Sequence, residues 1–282
     1  MDQQAKQVEL MPSVVIQPTS GWAAINLREL WRYRDLLFIL AERDIKLRYK
    51  QTALGVVWVV LQPLIAALIF ATIFGRFAKL PSEDVPYLLF VFCGLLVWNF
   101  FAAIVQRAGN SLVANSALVS KVYFPRLLLP FGSAIAVMLD FVVTLVIVSV
   151  IMFLYRQPVT PNIALLPLFF VMALVAGVGV SLWLGGLNVR YRDFAYVIPF
   201  LLQVWLYASP VVYSASIISA EYRWLYALNP AAGFVEGFRL ALLGKSSFLP
   251  EQFALSALVA VIIFFTGIFF FRRVERSFAD VV

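Results

Sequence analysis

"GGLNVRYRDFAYVIPF", residues 185–200, sets Arg190, Arg192 and Asp193 between two long uncharged runs. Three readings compete for it: a soluble loop, a buried ionic site, or a charged turn joining two membrane spans. The composition around it decides. Of 282 residues, 63% are hydrophobic and 13% are charged, and mean hydropathy is +0.92. Soluble domains carry about 25% charged residues. Here the apolar residues come in uninterrupted blocks that a soluble core does not need, so the chain is an integral membrane protein and the quoted stretch is a turn between spans.

A helix crosses the hydrocarbon with about 20 mostly apolar residues at about 1.5 Å per residue. Six stretches qualify, near 53–75, 87–106, 127–154, 163–187, 196–213 and 253–271. The fifth is the weakest, being short and containing Pro199 and Pro210. An even number of spans puts both termini on one side. Sixteen of the 22 Lys and Arg then fall with the termini, in the N-terminal region, the 107–126 loop, the C-terminal tail and the Arg190/Arg192 turn. Positive charge in short loops stays cytoplasmic, so both termini and the quoted turn are expected to face the cytoplasm. The net charge of +7 is thereby explained by topology, with anionic lipid attraction second and nucleic acid excluded as a partner. Gly185 and Gly186 are expected to loosen the end of the fourth helix.

The soluble parts are brief. Residues 1–21 form a polar tail with Pro12 and Pro18, without periodicity and expected to be disordered. Residues 22–50 supply an interfacial amphipathic helix, expected over Trp22–Leu40, followed by a charged lead-in to the first span. Leu27, Trp31 and Phe38 project from one side of that helix and Arg28, Arg32 and Asp35 from the other. Arg34 falls on the apolar side and is expected to snorkel to the headgroups. Residues 51–282 are the transmembrane domain. The loop "RAGNSLVANSALVSKVYFPR" (107–126) has room for one short amphipathic helix ended before Pro125. Between the fifth and sixth spans, "EYRWLYALNPAAGFVEGFRLALLGK" (221–245) reads as two short helices broken at Asn229–Pro230, the second ending near Gly244. The second is too apolar for solvent and too short to span, so a re-entrant pair is expected, tolerated where it packs on protein or lines a cavity.

Chemistry is sparse. No histidine occurs, which removes imidazole acid–base catalysis and imidazole metal ligation. The lone Cys93 builds neither a disulfide framework nor a thiolate metal site. "LLGKSS" (242–247) fails as a phosphate-binding loop, because Arg239 stands where the first glycine is needed and no strand precedes it. No cofactor is expected on this chain, and any use of ATP must belong to another one. Asp140 lies within the third span, where an ionised aspartate costs roughly 2.5–3.5 kcal/mol on insertion scales. It must face the interior, protonated or paired, as a proton relay or as a hydrogen-bonded structural residue near a subunit contact. The absence of a histidine partner favours the structural role. Among 26 Phe, 11 Tyr and 7 Trp, Trp58, Trp98, Trp205 and Tyr207 fall within or near the ends of spans, where ring faces suit the C–H faces of a sugar chain.

Three stretches carry a family resemblance. "GLNVRYRDFAYVIPFLLQVWLYASPVVY" (186–213) resembles the fourth and fifth spans of ABC-2-type exporter permeases. "RYKQTALGVVWVVLQPL" (48–64) is similar to the start of their first span, and "ALNPAAGFVEGFRLALLG" (227–244) to their outer segment before the sixth. The order is preserved over nearly the whole chain after residue 22, and the Wzm-like permeases of O-antigen exporters are the nearest pattern, with capsule and teichoic-acid permeases beside them. The resemblance implies an all-α homodimer of six-span subunits in a bacterial inner membrane, with two cytoplasmic ATPase subunits that bind ATP and Mg. Its cargo would be a polysaccharide on undecaprenyl pyrophosphate. It implies a substrate pathway at the dimer interface for which Trp58, Trp98, Trp205 and Tyr207 are candidates. Arg48, Arg190 and Arg192 become candidates for guiding pyrophosphate, with Asp193 expected to pair with an arginine. ATPase coupling would fall on Asn115, Ser116, Leu118, Lys121 and Tyr123. An outer gate would involve Tyr222, Trp224, Asn229, Pro230, Glu236 and Arg239. Two other readings stand against this one: a proton-coupled carrier using Asp140 and Glu236, and a membrane enzyme, disfavoured because no carboxylate cluster or metal-ligand set sits at one depth.

Overall fold

The structure, a computed structural model, describes residues 27–49 and 55–275; among these all regular structure is helical and there is no strand. The expected disordered tail and the expected helix start at Trp22 lie outside the described residues. A lead helix α1 (Leu27–Arg32) runs into α2 (Arg34–Tyr49). Then come α3 (Gly55–Phe70), prolonged by a π-helical stretch Ala71–Phe77, and α4 (Tyr87–Ala114). Short α5 (Ser116–Lys121) precedes α6 (Leu128–Leu154). A 3-10 turn at Pro161–Leu165 opens α7 (Leu166–Arg190), followed by α8 (Phe194–Tyr207). The chain closes with α9 (Ala220–Tyr226), α10 (Pro230–Leu243) and α11 (Pro250–Glu275).

Five of these, α3 with its π extension, α4, α6, α7 with its opening turn, and α11, are long and apolar enough to cross a membrane. They lie close to five of the expected spans. The expected span 196–213 is different. Its helix α8 has 14 residues, about 21 Å, against a hydrocarbon core of about 30 Å. Beyond Tyr207 the chain leaves helical geometry, yet Ser209, Val211, Val212 and Ser214 are buried in protein. Contacts at its two ends show that the segment nevertheless traverses the bundle. Asn188, just before it, donates to Asn110 at the far end of α4 (2.8 Å). Ser214, just after it, donates to Glu83 in the turn that precedes α4 (2.6 Å).

The same kind of contact sorts the whole bundle into two ends. At one end lie α2, the C-terminal turns of α4 and α7, and the end of α11, where Glu275 accepts from the Arg126 backbone N–H at 3.3 Å. At the other end the 78–86 and 244–249 turns meet Ser214, with the Ser247 hydroxyl also on Glu83.

α4 is the central post: 78% of its most apolar window is buried, against 11% for α3. Small residues decide how closely the others approach. At the α7–α11 crossing a Cβ on Gly179 would sit 2.7 Å from the backbone of Phe264, and one on Gly267 would sit 2.5 Å from the Gly179 carbonyl. Gly185 and Gly186 were expected to loosen the end of the fourth span. Instead α7 runs helically through both to Arg190, because their missing side chains admit Gly109 of α4 and Phe270 of α11. The turn in the opening stretch therefore shrinks to Tyr191–Asp193.

Two other expectations change. The N-terminal helix does not stop at Leu40 but continues through the charged lead-in to Tyr49. Leu37, Leu40, Ala41, Asp44 and Arg48 recur at helical spacing, and this stripe packs along α6, where Gly132 admits Leu40 at 3.3 Å. Trp31 and Phe38 are left exposed on the other side, with Arg34 lying over the Trp31 ring at 5.1 Å. The 107–126 loop is also shorter than expected. α4 keeps going for two turns past Arg107, because Ala108, Ser111 and Leu112 offer it a buried face. The short helix before Pro125 is present as α5.

Candidate functional sites and family

The non-helical crossing after α8 creates a problem that the nearby residues solve. Its backbone carbonyls lie in an apolar interior, where an unpaired polar group is costly. Arg239 of α10 answers it: the guanidinium donates to the carbonyls of Val211 (2.7 Å) and Tyr213 (3.3 Å). The Tyr87 hydroxyl donates to the carbonyl of Val212 at 2.6 Å. Arg239 is only 1% exposed and lies 3.6 Å over the Phe90 ring. Its charge is balanced by Glu236, equally buried, at 2.9 Å. The other Glu236 oxygen accepts from the Ser246 hydroxyl (3.0 Å) and the Ser247 backbone (3.1 Å). Gly94 makes room for all of this, since a Cβ there would lie 2.7 Å from the Val211 carbonyl oxygen.

Asn229 and Pro230 hold the turn between α9 and α10. The Asn229 side chain caps α10 by accepting from the Ala231 N–H (3.0 Å), and Pro230 takes the first helical position, where no N–H is needed. The same Asn229 accepts from the Trp205 indole (2.8 Å) and donates to the Ser209 hydroxyl (2.9 Å). From here α10 climbs past Phe101, Met172 and Phe169 to Gly244, whose φ of 71° closes the helix. α9 and α10 are thus the two short helices expected on either side of a break at Asn229–Pro230. Tyr222 and Trp224 are exposed on α9, whereas Glu236 and Arg239 are enclosed by α10 and its neighbours.

A second cluster gathers around Asp140, which is paired as the cost of a lone intramembrane charge requires. It forms an ion pair with Arg48 at 2.6 Å and accepts from Arg107 at 3.1 Å and from the Tyr49 hydroxyl. Burial and the Asp140 bond push the Tyr49 phenol up to about 12, so it stays a neutral donor. Arg48 therefore belongs to an ion network with Asp140. Asp140 and Glu236 lie in separate clusters with different partners, and nothing among the described residues joins them into one proton route.

The other expected residues are scattered. Trp58 and Tyr207 are exposed, as are Arg190 and Arg192, with Arg190 over the Tyr191 ring at 5.5 Å. Trp98 is 4% exposed and packs on Phe101, inside the helix bundle. Trp205 is half-buried. Asp193 precedes α8, and among the described residues no ion pair joins it to either arginine. Lys121 and Tyr123 project from the apex after α5, while Asn115, Ser116 and Leu118 are half-buried behind them. Sequence reasoning missed Tyr87, Gly94 and Glu83. Their importance depends on residues more than a hundred positions away, and no local pattern signals that. Among the described residues no group of three or more carboxylates or thiols is placed to hold a metal ion.

The sequence of this multi-pass bundle is similar to those of known membrane transport proteins. Residues 35–243 match the ABC-2 type transporter family. The chain belongs to that family. The O-antigen export system permease protein RfbA of Myxococcus xanthus is 29% identical over 258 residues, covering 90% of this chain and 98% of the relative. A Klebsiella pneumoniae protein of the same description is 27% identical over 252 residues, covering 88% and 95%. The polysialic acid transport protein KpsM of Escherichia coli is 23% identical over 240 residues, covering 83% and 92%. As an ABC-2 family permease, the chain has transport relatives rather than enzymes.

Proposed function

We propose that this chain is the channel-forming subunit of an ATP-driven exporter that moves O-antigen-type polysaccharide, linked to undecaprenyl pyrophosphate, across the bacterial inner membrane. The observation that carries this reading is the similarity, along almost the full chain, to O-antigen export permeases from two organisms. A physical argument adds the homodimer. The protomer interior is filled by rings: Phe100 stacks on Phe170 and meets Phe141 (both 4.9 Å), Phe101 meets Phe234 (5.2 Å), and Phe141 meets Phe238 (5.9 Å). A sugar chain has no room there, so the passage needs a second copy.

The least buried span, α3, and the exposed faces of α8 and α9 are the surfaces to line it, with Trp58, Tyr207, Tyr222 and Trp224 offering ring faces to sugars. Trp98, closed inside the protomer, is not part of that lining. The end rich in Lys and Arg faces the cytoplasm, where Arg190 and Arg192 receive the pyrophosphate. Lys121 and Tyr123 meet two ATPase subunits, which bind ATP and Mg.

Deleting the gene in its host tests the reading. The expected result is loss of surface glycan with accumulation of lipid-linked glycan inside the cell. Restoration should require both this chain and its nucleotide-hydrolysing companion. Export that survives loss of ATP hydrolysis but collapses with the proton gradient would overturn it. The relative described as a polysialic acid transport protein favours one variant, export of a capsule-type polysaccharide, and the glycan that accumulates inside the cell distinguishes the two by its sugar composition.

A further inference from the structure

One carboxylate in the third span ties together three elements that are distant in sequence. Asp140 of α6 receives Arg48 and Tyr49 from the last turn of α2 and Arg107 from α4. Its two oxygens are divided between them: Oδ1 accepts from Tyr49 and Oδ2 faces both arginines. The contact between α2 and α6 advances along both helices, from Leu37 and Leu40 at Gly132, through Asp44, which accepts from Ser133 at 3.0 Å, to Asp140. Asp140 is thus the last of these contacts along α2, at the helix's final turn. The span that follows, α3, is the least buried of the five. The side chain is 13% exposed, with Arg48 and Arg107 at 31% and 34%, so the pairs are shielded from most of the screening that weakens surface ion pairs.

We infer that Asp140 is a positioning residue that locks the C-terminal end of α2 onto α4 and α6, so that α2 moves with the membrane bundle as one body instead of swinging free. The inference rests on the export reading for its functional consequence, but the lock itself does not. Removing the charge while keeping the shape, as in Asp140→Asn, leaves two arginines without their counter-ion and releases the end of α2. Asp140→Glu keeps the charge and restores the lock.

The test uses the full chain with its companion subunits in the membranes of its host. A spin label is carried at Leu47→Cys, an exposed position on α2, while the native Cys93 is fully buried and inert to labelling. With Asp140→Asn the label should become clearly more mobile and surface glycan export should fall about tenfold or more at unchanged membrane level of the chain. Asp140→Glu should return both towards the unsubstituted protein. If Asp140→Asn does not accumulate, Arg107→Gln, which leaves the Arg48 pair in place, is measured in the same two ways, with smaller changes expected in the same direction. A label that neither variant mobilises overturns the inference whatever export does, as does full export by a variant whose label is mobile. If deleting the gene leaves surface glycan intact, the export reading fails by itself, and label mobility still decides the lock.

Discussion

Arg239 and Glu236 show how one residue's environment reverses its meaning. In the sequence they are two charges on an otherwise apolar helix, read as part of an outer gate, with Glu236 also a member of the disfavoured proton path. In the structure the arginine supplies the donors that the non-helical backbone at Val211 and Tyr213 lacks, and the glutamate keeps that arginine from being an unpaired buried charge. Breaking such a pair by removing one partner costs about 3–5 kcal/mol. Glu236→Gln is therefore expected to lower the thermal unfolding midpoint in detergent far more than Glu221→Gln, which changes an exposed position on α9. Equal midpoints for the two variants would remove the clamp from the account. Asp140 was partly legible: the energy of a lone charge in hydrocarbon already demanded either a proton or a partner. Which partners, Arg48, Tyr49 and Arg107, was not legible, because they are brought together only by helix packing.

At the scale of elements, periodicity and hydropathy located the long spans because each is an autonomous apolar segment whose backbone is satisfied within itself. The fifth crossing broke the rule. A window over 196–213 registers apolarity but not the loss of helix after Tyr207, since the groups that satisfy the freed carbonyls belong to α4 and α10. Helix–helix spacing was similarly hidden. Gly179 and Gly185 look alike in "LVAGVGVSLWLGGLNV", yet a Cβ at Gly179 would strike the α11 backbone at 2.7 Å, whereas one at Gly185 would find its nearest atom at 3.4 Å. Gly179→Ala is expected to destabilise by about 1–3 kcal/mol and Gly185→Ala by much less, measured as the loss of folded protein on heating in the same detergent. A reversed order would mean that the α7–α11 crossing is not held at this distance.

For the whole molecule, the two ends of the bundle carry opposite expectations. One holds most of the Lys and Arg, and the other holds the Glu83, Ser214 and Ser247 contacts. Because the native Cys93 is fully buried, single cysteines can report sidedness. In intact cells an impermeant maleimide should label Lys79→Cys and Glu221→Cys but not Lys121→Cys or Arg190→Cys until the membrane is opened. Labelling of Lys121→Cys from outside would invert the proposed orientation. The sequence by itself determined that this is a polytopic helical membrane protein, where its long spans lie, and which family it resembles, because a span's hydrophobicity and backbone bonding are properties of contiguous residues. The tertiary structure decided how the broken crossing is satisfied, which face of α2 is buried, and which partners Asp140 and Arg239 meet, because burial in a bundle depends on neighbours that the chain order does not reveal.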